Sequence, residues 1–196
     1  MKSDIVISGV GGQGSILASR ALAGAAIAKG LNVLTSEVIG MAQREGPVTS
    51  HIRIGNNLSG ALIPDYAADY LISLELSETV RNLNKLRPGG TVITSKTAII
   101  PTSVQLGLSK YDDEIYVQYI KEQAEKAIFL DLESLSLQAG TPRAGNVVIM
   151  GAFSTCPGLP LQGEQILQAI LQLVPERYRN INTHAFELGR QAMEEF

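Results

Sequence analysis

This 196-residue sequence predicts a three-layer α/β/α, Rossmann-like fold with a mostly parallel, mixed sheet. Three observations carry the prediction. An apolar-biased run from Asp4 to Ser8 breaks into Gly9-Val10-Gly11-Gly12-Gln13-Gly14, and a helical small-residue pattern starts at once at Ser15. Strand-length apolar runs then alternate with helical patterns along the chain. Hydrophobic residues make up 45% and charged residues 18%, enough for a substantial core in one domain spanning residues 1–196.

The elements follow in order. A strand that must turn into a helix within a few residues needs positive φ, which glycine adopts without steric cost. Positions 14, 17, 18, 21, 24, 25 and 28 are Gly, Leu, Ala, Ala, Gly, Ala and Ala, a small-residue face at helical spacing that lets helix 15–29 lie close to a sheet. Gly30 stops it, and residues 32–35 read as a second strand. Residues 36–47 are polar and irregular. Residues 48–54 alternate as a strand with His51 and Arg53 on one face and Ile52 and Ile54 on the other. Asn56-Asn57 is a turn signal, residues 60–63 a short strand, and residues 70–74 a buried strand. Ser77 is placed to N-cap a helix with Val80, Leu83 and Leu86 along one stripe, which Arg87-Pro88-Gly89-Gly90 ends before a strand at 91–94. Helix 114–126, strand 127–130, a short helix 132–139, a buried helix 147–153 and helices 163–173 and 176–194 complete the chain.

The Gly9-x-Gly11-x-x-Gly14 spacing matches the dinucleotide fingerprint. Glycines there let a backbone approach a phosphate at the helix start, where free N–H groups favour an anion. A dehydrogenase also needs an acidic ribose reader after the second strand, and Glu37 is the only candidate. His51 and His184 are the histidines available for proton transfer, with no partner carboxylate evident. A methyltransferase is the other nucleotide-using option, from Leu86-Arg87-Pro88-Gly89-Gly90 ahead of a strand. A free-standing Rossmann enzyme using NAD or S-adenosylmethionine is thus one reading.

Composition narrows the field. The net charge of −3 with scattered Lys and Arg gives no footprint for nucleic acid. Cys156 is the one cysteine, expected as a buried inert thiol, so the chain can hold neither an intrachain disulfide nor a cysteine-ligated cluster, and the histidines show no metal-ligand spacing. The chain opens on its first strand and no apolar run approaches the ~20 residues of a membrane span, so a cytoplasmic protein with no membrane segment is expected.

Residues 36–55 point away from a free-standing enzyme. Together, Gly9-Val10-Gly11-Gly12-Gln13-Gly14, Ser36-Glu37-Val38-Ile39-Gly40-Met41-Ala42-Gln43-Arg44 and Ser50-His51-Ile52-Arg53-Ile54-Gly55 closely resemble the gamma subunit of the 2-oxoacid:ferredoxin oxidoreductases. In the arylpyruvate (indolepyruvate) branch the equivalent chain is named the beta subunit. Arg143-x-x-Asn146 and its apolar continuation look similar too, so the resemblance spans nearly the whole chain. The family's usual Ala-Gln-Arg-Gly-Gly-Ser is here Ala42-Gln43-Arg44-Glu45-Gly46-Pro47, and Ile39 stands where many arylpyruvate members carry histidine. Glu45 disfavours positive φ and Pro47 biases Gly46 toward extended geometry.

The resemblance implies a part of an enzyme. Such complexes decarboxylate a 2-oxoacid on thiamine diphosphate with Mg2+, pass electrons through [4Fe-4S] clusters to ferredoxin, and transfer the acyl group to coenzyme A. It implies partner chains that bear the thiamine and the clusters, with no certain catalytic residue and no metal on this chain. Glu37, Gln43, Arg44, His51 and Arg53 are the candidates for substrate, coenzyme A or subunit contact, since a guanidinium grips carboxylate or phosphate through paired hydrogen bonds. Gly9, Gly11, Gly12 and Gly14 form the turn beside them, with Arg143 and Asn146 as secondary candidates. The competing expectation is that Glu37, Arg44 and Arg53 form an ion-pair network bracing the loop.

Overall fold

The computed structural model describes residues 2–41, 46–99, 104, 106–107 and 111–195. Six strands form one sheet: β1 (Lys2–Val10), β2 (Val33–Ile39), β3 (Pro47–Gly55), β4 (Ala68–Ser73), β5 (Leu86–Ser95) and β6 (Lys126–Leu130). Their order is β2-β3-β1-β4-β5-β6. β1, β4, β5 and β6 run parallel, while β3 is antiparallel to both neighbours. The mixed sheet is therefore as expected, and its antiparallel part is a hairpin: Gly40 N–H donates to Pro47 C=O at 2.8 Å and closes the β2–β3 ladder.

Seven helices are described: α1 (Ser15–Ala28), α2 (Leu76–Asn82), α3 (Asp113–Gln123), α4 (Leu132–Gln138), α5 (Gly145–Phe153), α6 (Gly163–Leu173) and α7 (Arg179–Ala192). Alternation along β1 sets the two layers. Ile5 and Ile7 face a core built with α1, α5, α6 and α7, whereas Val6 faces the smaller core under α2 and α3. α1 and α2 thus leave the sheet toward opposite faces after β1 and β4. A crevice outside the carboxyl ends of those two strands is the expected consequence in an open α/β sheet.

Several expectations need correction. β2 runs on to Ile39, through residues expected to be irregular, because β3 supplies a partner register from Val33↔Ile54 to Ile39↔Val48. Residues 60–63 form no strand; the carbonyls of Ser59, Gly60 and Leu62 turn inward to Arg53 instead. The cap of α2 is Glu75, whose carboxylate accepts from Glu78 N–H at 2.9 Å and from Ser77 Oγ at 2.6 Å. Residues 176–194 divide into a 3-10 turn, α7 and a terminal 3-10 turn.

α5 is buried along its length and crosses α7 with almost no side chain between the backbones. A Cβ on Gly189 would lie inside the van der Waals envelope of the Val148 carbonyl oxygen and 2.9 Å from Ala152 N. One on Gly151 would meet the Phe186 carbonyl, 3.0 Å from its Cα. Alanine gains roughly 1 kcal/mol over glycine in a helix, but overpacking a rigid backbone contact costs about 3 kcal/mol or more. Gly189→Ala should therefore destabilise the fold by about 2 kcal/mol or more in denaturant unfolding. Gly24→Ala in α1, where no atom lies within 4 Å of the new Cβ, should stabilise it by about 0.5–1 kcal/mol.

Candidate functional site

The glycine turn is braced from inside by the chain's own amide. Gln13 Oε1 accepts from Val10 N–H at 2.8 Å, and its Nε2 donates to Leu74 C=O at 2.9 Å, joining the carboxyl ends of β1 and β4. Gly9 has no room for a side chain, since a Cβ would lie 2.7 Å from that Gln13 oxygen. Gly11 N–H donates to Gly46 C=O at 2.9 Å, so the turn and the closing end of the β2–β3 hairpin meet at one edge of the sheet. Gly12 and Gly14 take φ of 95° and 87°, which their missing side chains permit.

Beside the turn lies a crevice of about 390 Å3, lined by Gly12, Gln13, Thr97, Glu133, Arg143 and Asn146 among others. It opens where the divergence of α1 and α2 places it. Two helices begin on its wall. Gly14 is the N-cap of α1 and Ala144 that of α5, with no side-chain cap and no acidic residue in either first turn. Among the described residues, the N–H groups of Ser15, Ile16, Gly145 and Asn146 have no hydrogen-bond partner, and each helix adds partial positive charge there. Asn146 ties the two starts together, its Nδ2 donating to Gly14 C=O at 3.3 Å. A Cβ on Gly14 would lie 2.9 Å from Asn146 Cγ, so that position too is closed to a side chain. Arg143 is exposed at the rim. Two uncapped helix starts and a guanidinium around one crevice can hold an anion such as a phosphate or carboxylate. Glu75, with 1% of its surface exposed, steadies the facing wall by accepting from Ile99 N–H at 3.0 Å while it caps α2.

The structure divides the candidates from the sequence. Gly9, Gly11, Gly12, Gly14, Arg143 and Asn146 come together at the crevice or its floor. Gln43 and Arg44 lie outside the described residues, as does Glu45. Glu37 is exposed on β2 and opposite Ser50 and Ile7, on the α1 face. His51 and Arg53 stand opposite Val6 and Asp4, on the other face, so Glu37 cannot join them. Arg53 is 4% exposed and its guanidinium is occupied: Nε and Nη2 donate to the Asp4 carboxylate at 2.9 and 3.1 Å, and Nη1 donates to Ser59 and Gly60 carbonyls at 2.8 and 3.0 Å. Asp4 is six residues before Val10 along β1, which puts this pair about 20 Å from the glycine turn. The network expected of Glu37, Arg44 and Arg53 does not form through Glu37; Arg53 is paired with Asp4 instead.

His51 is buried at 3% exposure, and its Nδ1 accepts from Ile63 N–H at 3.3 Å. Burial, then the charges of Lys85 and Arg53, hold its pKa below 6.5, so the ring is neutral at pH 7 and serves as an acceptor for the loop. Cys156 is buried, and burial pushes its thiol up to about 11. Sequence reasoning missed Gln13 as the brace of the turn, Asp4 as the partner of Arg53 and Glu75 as a cap. A glutamine between two glycines was the one available signal; the other two depend on which strands are neighbours.

Sheet order also bears on the dinucleotide fingerprint. β3 stands between β1 and β2, so Glu37 is two strands, or about 10 Å, from the strand that carries the glycine turn. The Val10 and Gly11 N–H groups are already spent on Gln13 and Gly46. The geometry by which an NAD-binding turn and its ribose-reading acid converge is not present.

The sequence matches a family described as pyruvate ferredoxin/flavodoxin oxidoreductase over residues 4–192. Indolepyruvate oxidoreductase subunit IorB of Thermococcus kodakarensis is 40% identical over 194 residues, covering 98% of this chain and 96% of that one. The common subunit gamma of the pyruvate/ketoisovalerate oxidoreductases of the same organism is 27% identical over 169 residues, covering 85% and 84%. The fold is shared with the keto/oxoacid ferredoxin oxidoreductase gamma subunit of Geobacter sulfurreducens, at a TM-score of 0.72, 22% identity and 99% coverage of both chains.

Proposed function

The chain belongs to the pyruvate ferredoxin/flavodoxin oxidoreductase family, and from that premise we propose that it is the small, gamma-type subunit of a cytoplasmic 2-oxoacid:ferredoxin oxidoreductase, folded as one domain and working beside partner chains. The observation that carries this reading is the 40% identity to an indolepyruvate oxidoreductase subunit along almost the full length of both chains. The lower identity to a pyruvate/ketoisovalerate gamma subunit favours an arylpyruvate-type acid as substrate.

In such a complex thiamine diphosphate with Mg2+ and [4Fe-4S] clusters supply the decarboxylation and the electron transfer. The residues of this chain do not fit the clusters. A cluster takes several thiolates, and Cys156 is the sole cysteine, buried as a thiol rather than poised as a thiolate. The partner chains hold that chemistry and pass electrons on to ferredoxin.

Coenzyme A is the group that this chain does fit, through its phosphates. The starts of α1 and α5 would direct N–H groups at a phosphate, Arg143 would pair with it, and Asn146 and Gln13 would hold the cradle in shape. The chain's contribution is then to bind and orient the acyl acceptor while the reaction proceeds on its partners. A charged hydrogen bond of about 1.5–3 kcal/mol corresponds to roughly 10–100-fold in affinity. Arg143→Ala in the assembled complex should raise the KM for coenzyme A by about that factor and leave the KM for the oxoacid unchanged. Arg143→Lys should recover part of the loss. An unaltered coenzyme A dependence in Arg143→Ala would remove Arg143 from the site.

A further inference from the structure

β2 is an open sheet edge built for association. It is seven residues long, contains no proline and carries one charge, Glu37, so it lacks most devices that keep edges apart. Its second half is apolar on both faces yet uncovered: Val38 is 52% exposed, Ile39 60% and the adjoining Met41 fully exposed. The hydrogen-bonding groups are already sorted. Gly55 N–H donates to Asn32 C=O and Gly40 N–H to Pro47 C=O, so the even-numbered residues face β3 and the N–H and C=O groups of Val33, Thr35, Glu37 and Ile39 point outward. Among the described residues, no hydrogen bond is made to these outward groups.

We propose that β2 pairs antiparallel with β2 of a second copy of this chain, centred on Ser36, so that two six-stranded sheets run on as one. The sequence of the strand selects this partner and this register. Two copies related by a twofold axis through Ser36 set Val38 against Leu34, Ile39 against Val33 and Met41 against Leu31, so each apolar side chain meets an apolar one. Leu31 and Val33 are already half-buried against the larger core, which continues across the seam. Glu37 meets Thr35. Moving the axis by one residue to Glu37 would put two carboxylates face to face, and moving it to Val38 would set Glu37 against Ile39. The pairing lies on the outer edge of the hairpin and leaves the crevice open, so it stands apart from the coenzyme A reading.

The full chain, alone and with its partner subunits, provides the test. At micromolar concentration it should sediment as a dimer. Glu37→Pro removes an outward N–H and leaves the β2–β3 ladder intact, so it should sediment as a monomer with unchanged circular dichroism. Ser36→Cys places two thiols in a non-hydrogen-bonded pair, where Cα atoms are about 4.5 Å apart, and diamide should oxidise it to a covalent dimer. Val38→Cys, which meets Leu34 rather than itself, should not cross-link. A monomeric wild-type chain, a dimer that Glu37→Pro leaves intact, equal cross-linking of the two cysteine variants, or a Ser36→Cys bond to a different subunit would each overturn the proposal.

Discussion

Arg53→Met is expected to cost about 3–5 kcal/mol of folding stability, because it removes one partner of a buried ion pair and leaves the Asp4 carboxylate buried without its guanidinium. Asp4 would keep only Lys2, at 2.9 Å on the half-exposed side, as its cation. The carbonyls of Ser59 and Gly60 would lose their donor as well. Asp4→Leu together with Arg53→Met should recover much of the loss, since replacing both partners by apolar groups removes the stranded charge. Urea unfolding of the single and double variants measures both effects. A ligand role for Arg53 predicts the reverse pattern: near-normal stability of the single variant, weakened affinity, and no recovery in the double variant. The geometry favours the first outcome, with the pair about 20 Å from the glycine turn.

Arg53 also shows where reading the sequence stops. The alternation that placed His51 and Arg53 on one strand face holds, because period-two patterning is a local property. What lies against that face is decided by strand order. β3 inserts antiparallel beside β1, bringing Asp4 to Arg53 and sending Glu37 to the opposite face of the sheet. No spacing in residues 36–55 encodes that insertion. The α/β alternation, the glycine turn and most helices were legible because each rests on short-range rules: helical spacing, glycine at positive φ, and turn residues between apolar runs. The strand expected at residues 60–63 failed for a long-range reason, as its carbonyls are claimed by a buried arginine rather than by a ladder.

The crevice was half legible. Gly9, Gly11, Gly12 and Gly14 announced a close backbone approach, and Arg143 and Asn146 came in by family resemblance. Their convergence arises because α5 begins against the start of α1, with Asn146 donating to Gly14 across 132 residues of chain. The same contact changes the meaning of the fingerprint. Gly14 is small to admit Asn146, and Gly9 to admit Gln13, so two of the glycines serve the protein's own side chains and a third, Gly11, binds the hairpin. The anion binding proposed for this chain would rest on the paired helix starts.

On the proposed function, this chain is a necessary but non-catalytic part of a larger enzyme. If it orients coenzyme A beside a site on its partners, its loss should be far more damaging than any single substitution in it, since misplacing a reactant by even 1 Å costs about 100-fold in rate. The partner subunits should retain their clusters without it, because Cys156 is the only cysteine that it could contribute. The most direct measurement is 2-oxoacid- and coenzyme A-dependent reduction of a viologen dye by the partner subunits, with this chain omitted and then added back. A fall of about 100-fold or more is expected on omission, restored on addition. An equal rate without this chain would contradict it.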